Sequence, residues 1–107
     1  MIRLTVLYNL PDGADEAEFL KWRLTDHQRT NEAMPGVEHT DFARITDCWP
    51  AGAMPPYRFQ TTVEWRDRPA YEAGFLDAAV QKKLQENLRR LGSYCFFVSE
   101  LLIDSGG

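Results

Sequence analysis

The chain has 107 residues, enough for one domain with a hydrophobic core that needs no metal or disulfide staple. Hydrophobic residues make up 44% and charged residues 26%, the balance of an ordinary soluble protein. The net charge of −4 argues against a nucleic-acid partner, which asks for a basic footprint, and the longest uncharged apolar stretch, Leu91 to Ser99, is far too short to cross a bilayer. The first twenty or so residues lack the basic start and small-residue cleavage site of a signal peptide, so a cytoplasmic protein is expected. The two cysteines, Cys48 and Cys95, form no Cys-x-x-Cys pair, which excludes a zinc ribbon or a thioredoxin-type motif. Cys95, inside Tyr-Cys-Phe-Phe-Val, reads as a small buried thiol, and Cys48 as a loop residue.

Ile2 to Tyr8 alternate, with Ile2, Leu4, Val6 and Tyr8 on one side and Arg3, Thr5 and Leu7 on the other, the pattern of a strand. Asn9-Leu10-Pro11-Asp12-Gly13 ends it with turn chemistry. A helix is predicted over 15–32, with Asp15 as N-cap, Glu16 and Glu18 at the positive end of the dipole, and Met34-Pro35-Gly36 as the stop. Its inward stripe is Ala17, Leu20, Leu24 and His27. A second extended run covers 37–46, with Val37, His39, Asp41, Ala43 and Ile45 sharing one face. The proline-rich stretch 47–56 is a loop. A third strand covers 57–65, with Tyr57, Phe59, Thr61, Val63 and Trp65 facing one way and Arg58, Gln60, Thr62 and Glu64 the other. Asp67 caps a helical region that Gly74 and Phe75 are expected to interrupt. Val80, Leu84, Leu88 and Leu91 mark the inward side of its longer part, and Gly92 stops it. The fourth strand is expected over 94–103, apolar on both faces, before a fraying tail at 105–107.

The order β-α-β-β-α-β is that of the ferredoxin-like α+β fold, a four-stranded antiparallel sheet with two helices. Two helices cover only one face of such a sheet. Strand four shows Phe96, Val98 and Leu102 on one side and Phe97, Leu101 and Ile103 on the other, so the open face needs a second cover. A homodimer packing sheet against sheet, a dimeric α/β barrel, is the economical solution.

Val6-Leu7-Tyr8-Asn9-Leu10-Pro11-Asp12-Gly13, the helix segment Phe19-Leu20-Lys21-Trp22-Arg23-Leu24-Thr25-Asp26-His27 and the junction Met34-Pro35-Gly36-Val37 resemble the EthD-like dimeric α/β-barrel proteins. The stretch from Trp22 to Arg44 is most similar to the RedY/HapK-like proteins of prodiginine and bisindole biosynthesis. The resemblance covers nearly the whole chain. It implies a homodimer, a pocket between sheet and helices, and cofactor-free work on pyrrole- or indole-bearing aromatic intermediates, such as steering a cyclisation. It also carries a functional histidine onto position 27. Trp22-Arg23 stands where that family tends to show two aromatic residues.

His27, on the inward face of its helix, is either a satisfied core group or a proton-transfer group, since an imidazole titrates near neutrality. His39 and Asp41 lie two residues apart on one strand face and form a proton relay if that face is the helix-covered one. The same pair with His27 also has the composition of a two-histidine, one-carboxylate iron site. Arg23, one turn from His27, is placed to hold an anionic or carbonyl oxygen of a substrate. Trp22 points off the inward stripe, which leaves a rim or dimer-contact role and a substrate-binding place in the pocket both open. Tyr8 and Tyr57 present hydroxyls at the pocket mouth or sit in the core, and Glu64 is the acid or base to watch on the polar strand face. No Gly-rich phosphate loop and no Gly-x-Ser-x-Gly elbow occurs, so nucleotide and acyl-enzyme chemistry are not expected. These residues point to a cofactor-free enzyme acting by positioning and acid–base catalysis on an aromatic small molecule. A non-catalytic carrier of a pathway intermediate, working beside other pathway enzymes, and a cofactor-free aromatic oxygenase are the rival classes.

Overall fold

The alternation in the first strand carries it to the middle of the sheet. In the computed structural model, which describes residues 1–104, the chain runs β1 (Ile2–Tyr8), α1 (Glu16–Trp22), a π-helical turn (Arg23–His27), α2 (Gln28–Glu32), β2 (His39–Arg44), β3 (Phe59–Trp65), α3 (Arg68–Phe75), α4 (Ala78–Leu88) and β4 (Tyr94–Glu100). The four strands form one sheet in the order β2-β3-β1-β4, every neighbouring pair antiparallel. This is the ferredoxin-like arrangement expected from the element order. The tail at 105–107 lies outside the described residues.

Register assigns the faces. Leu4 stands opposite Val63 and Val98, Val6 opposite Thr61 and Phe96, and Tyr8 opposite Phe59 and Tyr94. Facing residues of an antiparallel pair share a side, so these line the helix-covered face. There Ile2, Leu4, Val6, Tyr8, Phe59, Val63 and Trp65 form the core with Tyr71 of α3. Phe42 of β2 joins it, stacked 5.5 Å from Phe59. The opposite face carries Arg3, Thr5, Leu7, Gln60, Thr62, Glu64, His39, Asp41, Cys95 and Phe97.

Four expectations change. Cys95 is exposed rather than buried, because it falls on the open face of an edge strand. β4 ends at Glu100, because β1 offers no pairing beyond Ile2; Leu101 makes one last bond to the Met1 carbonyl, and Leu102 and Ile103 lie exposed beyond it. Gly74 and Phe75 belong inside α3, and the break comes at Leu76–Asp77. Gly74 is a packing glycine: a Cβ there would collide with the Pro35 carbonyl and with the Trp65 indole, which donates to that carbonyl at 3.0 Å.

The fourth change positions the site. Asp15 caps the first helix as expected, its carboxylate accepting from the Glu18 N–H. The helical run to Glu32 is unbroken, but Arg23–His27 form a π turn, which takes up an extra residue and shifts the inward stripe. Leu24, expected inside, is 60% exposed, whereas Arg23 is 1% exposed. Phe19, Arg23, His27 and Asn31 now follow one another down the inner side, four residues apart. Within the turn, the Thr25 hydroxyl donates to the Lys21 carbonyl.

Candidate functional site

A cavity of about 430 Å³ lies between the helix-covered face of the sheet and the inner sides of the helices, in the size range of small-molecule sites. Its walls are mainly apolar, with Leu4, Val6 and Val63 from the sheet, Phe19 and Trp22 from α1, and Leu84 and Leu88 from α4. A few polar groups enter it: Tyr8, Arg23, His27, Asn31, Thr61, Lys83 and Asn87.

His27 is a pocket residue. Its ring stacks on Trp22, centroids 4.6 Å apart and planes 23° from parallel. Trp22 is in turn covered by the Arg90 guanidinium at 4.2 Å. Of the roles left open for Trp22, the structure shows the place in the cavity wall, on the same side of α1 as Phe19. The Asn87 amide of α4 meets His27 Nδ1 at 3.3 Å. Burial, reinforced by the positive charges of Arg23, Lys83 and Arg90, pushes the His27 imidazole down from 6.5 to about 4. The ring is therefore neutral at physiological pH.

Arg23 reaches across to the sheet. It donates to Thr61 Oγ1 at 3.1 Å and to Gln28 Oε1 at 2.7 Å, and its guanidinium lies 4.2 Å over the Phe42 ring. The Tyr8 hydroxyl is 3.3 Å from the same Thr61 oxygen. Thus Tyr8, Thr61 and Arg23 form one buried chain at the sheet wall, and Tyr8 belongs to the pocket.

The remaining expected residues lie elsewhere. His39 and Asp41 do meet, at 3.2 Å, and Asp41 accepts from the Thr62 hydroxyl. Yet their strand face is the open one, so the sheet separates them from His27. Neither the relay toward the cavity nor the two-histidine iron set can assemble within one chain. Glu64 also faces the open side, where it pairs with Arg3 at 3.3 Å. Tyr57 precedes β3 and does not line the cavity. Asn31, Thr61, Lys83 and Asn87 were not singled out from the sequence. Thr61 was legible as the polar member of an otherwise apolar strand face, and Asn31 as the residue one turn beyond His27.

The depressed imidazole has a stability consequence. The unfolded chain protonates at His27 below about pH 6.5, while the folded chain resists until about 4. Between these values the unfolded state binds more protons, so stability falls as the pH falls through that window and levels off below it. Allowing for solvent screening of a partly exposed ring, roughly 2 kcal/mol is at stake. Urea midpoints between pH 6.5 and 4 are expected to drop for the wild type and to stay flatter for His27→Gln.

A family model, REDY-like protein HapK, matches residues 2–101. The chain belongs to this family. No curated protein matches it. Solved structures share the fold. An EthD family protein from Bacillus halodurans is 16% identical, with TM-score 0.78 over 95% of this chain and 99% of that one. HapK from Hahella chejuensis is 20% identical, with TM-score 0.74 over 100% and 98%. SnoaB from Streptomyces nogalater, described as a cofactor-independent oxygenase, is 12% identical, with TM-score 0.71 over 99% and 97%. Other proteins of this fold, one from Thermobifida fusca among them, are described as dimeric.

Proposed function

We propose that this protein is a cofactor-independent enzyme of secondary metabolism. It binds a flat, mainly apolar heteroaromatic of the pyrrole- or indole-bearing kind and moves a proton on it through His27, as in directing a prodiginine- or bisindole-type cyclisation. The observation that carries this reading is a neutral imidazole stacked on Trp22 in the wall of an apolar 430 Å³ cavity, with a single amide partner. Membership of the REDY-like family supports the substrate class.

The Asn87 contact suits a shuttle. With its N–H donating to Nδ1, the amide fixes the imidazole proton on Nε2 and makes that atom a donor. With the amide turned over, its oxygen accepts from Nδ1–H and Nε2 becomes the base. One side chain thus serves both directions of proton transfer, and the apolar walls exclude the water that would compete. Positioning of the guest against Trp22 supplies the orientation.

The test is conversion of a defined bispyrrole or bisindole intermediate by the purified protein alone. Acceleration or a changed product ratio is expected. A protein that binds the intermediate tightly but leaves its rate and products unchanged is a carrier instead. The likeness in fold to SnoaB makes oxygenation the second reading, and stoichiometric oxygen uptake during turnover decides for it.

The working unit in this proposal is a homodimer formed through the open sheet face. Phe97 is 44% exposed there beside Leu7 and Cys95, and the neighbouring Arg3–Glu64 and His39–Asp41 pairs provide a polar surround. Sedimentation at micromolar concentration is expected to show a dimer, and Phe97→Asp to shift it toward monomer while leaving the helix-side core intact. A wild-type chain that sediments as a monomer overturns the dimer.

A further inference from the structure

The cavity is charged against the grain of the chain. The sequence carries 16 acidic and 12 basic residues, yet the cavity lining contains no Asp or Glu and includes both Arg23 and Lys83. Arg23 is 1% exposed. It gives hydrogen bonds to two neutral oxygens, those of Gln28 and Thr61, and among the described residues no carboxylate lies within ion-pair distance of it. Among the described residues no further acceptor meets its N–H fork. A buried cation without a counter-charge is unfavourable, and no side chain among the described residues supplies one.

A second, independent group points the same way. Asn31 is 7% exposed and lines the cavity one turn beyond His27. Its side-chain amide makes no hydrogen bond among the described residues, so its N–H groups are left for whatever fills the space. Lys83 of α4, an exposed residue at the cavity's edge, adds a positive charge to the same lining. Around the donors stand aromatic and aliphatic walls that suit a flat ring.

We propose that the guest of this cavity is a planar arene bearing an anionic oxygen, a carboxylate or an ionised phenol, and that Arg23 and Asn31 hold that oxygen while the ring lies against the apolar wall. This rests on the functional reading above and names its substrate class. The anion completes the buried guanidinium as a charge-assisted pair. The amide supplies a second donor, so the oxygen is fixed in direction as well as attracted. Arenes that are neutral at the corresponding position leave Arg23 uncompensated and bind less well.

Calorimetric binding of naphthalene carboxylate, naphthol and naphthalene carboxamide to the purified wild-type protein at neutral pH tests this. The carboxylate is expected to bind about 10-fold tighter than the carboxamide, a neutral molecule of nearly the same shape. Naphthol separates the two sources: affinity that rises with pH through its own ionisation and exceeds that of the carboxylate assigns the oxygen to a phenolate, and the reverse order assigns it to a carboxylate. Asn31→Asp, nearly isosteric, puts a negative charge into the lining. It is expected to weaken carboxylate binding about 10-fold more than carboxamide binding, so that the preference for the anion is lost. Equal affinity of the wild type for carboxylate and carboxamide, or an unchanged preference in Asn31→Asp, overturns the anion assignment and leaves the aromatic cavity standing. Failure of all three arenes to bind overturns both.

Discussion

His27→Ala is expected to keep the fold and to lose about 10²–10⁴-fold in turnover, the usual cost of removing a positioned proton-transfer group. Little in the architecture depends on the imidazole. Its hydrogen bond is to one amide, its ring is only partly buried, and the core proper lies on the sheet between Leu4, Val63 and Trp65. Loss of the stack on Trp22 leaves that indole still covered by Arg90. His27→Gln separates shape from proton transfer, because glutamine fills the space and hydrogen bonds but does not titrate. Both variants are expected to bind the guest within a few-fold of wild type. A His27→Gln enzyme with the wild-type rate and product ratio removes the imidazole from the mechanism.

The pH profile follows from the same group. In the free protein the ring titrates at about 4, so it is neutral across the physiological range and the activity of the free enzyme should not fall through pH 6.5. An anionic guest brings a negative charge into a space where burial and then the charges of Arg23, Lys83 and Arg90 hold the imidazole down. It therefore makes the imidazole more basic at the moment basicity is required. The two proposals reinforce each other on this point: the charge that completes Arg23 also tunes His27.

Much of this was legible in the sequence, for identifiable reasons. Strict alternation in Ile2–Tyr8 and Phe59–Trp65 sets which side chains face the helices, and register across the sheet preserves it. The apolar excess of Tyr94–Glu100 shows that the open face is not finished by the helices. The helix was harder. The stripe of Ala17, Leu20 and Leu24 puts Leu24 inside, but already in α1 Ala17 is exposed while Phe19 and Trp22 face the cavity, and Arg23, four residues past Phe19, follows them in as Leu24 comes out. His39 and Asp41 illustrate the opposite difficulty. Their spacing gave the pairing correctly, at 3.2 Å, but the side of the sheet they occupy is fixed by Phe42, the residue after Asp41, whose ring goes to the core and leaves the alternate positions 39 and 41 facing outward.

Arg23→Met is expected to be as stable as the wild type or more so, by up to about 2 kcal/mol, while discrimination between anionic and neutral arenes disappears. Burying a guanidinium among neutral partners costs desolvation that hydrogen bonds to Thr61 and Gln28 and the contact with Phe42 only partly return. Methionine keeps most of the stem's volume and its apolar packing against Phe42. The groups it deserts are not stranded: Thr61 retains the Tyr8 hydroxyl at 3.3 Å, and the Oε1 of Gln28, a half-buried side chain whose Nε2 still donates to Glu32, is free to take a water. Denaturant unfolding of the two proteins measures the stability, and the naphthalene carboxylate and carboxamide pair measures the selectivity. A structural arginine predicts a different result, a loss of about 3 kcal/mol or more with ligand preference unchanged in whatever remains folded. A variant that gains stability and loses the anion shows instead that this cation is kept inside the protein against the preference of the fold, for the sake of the guest.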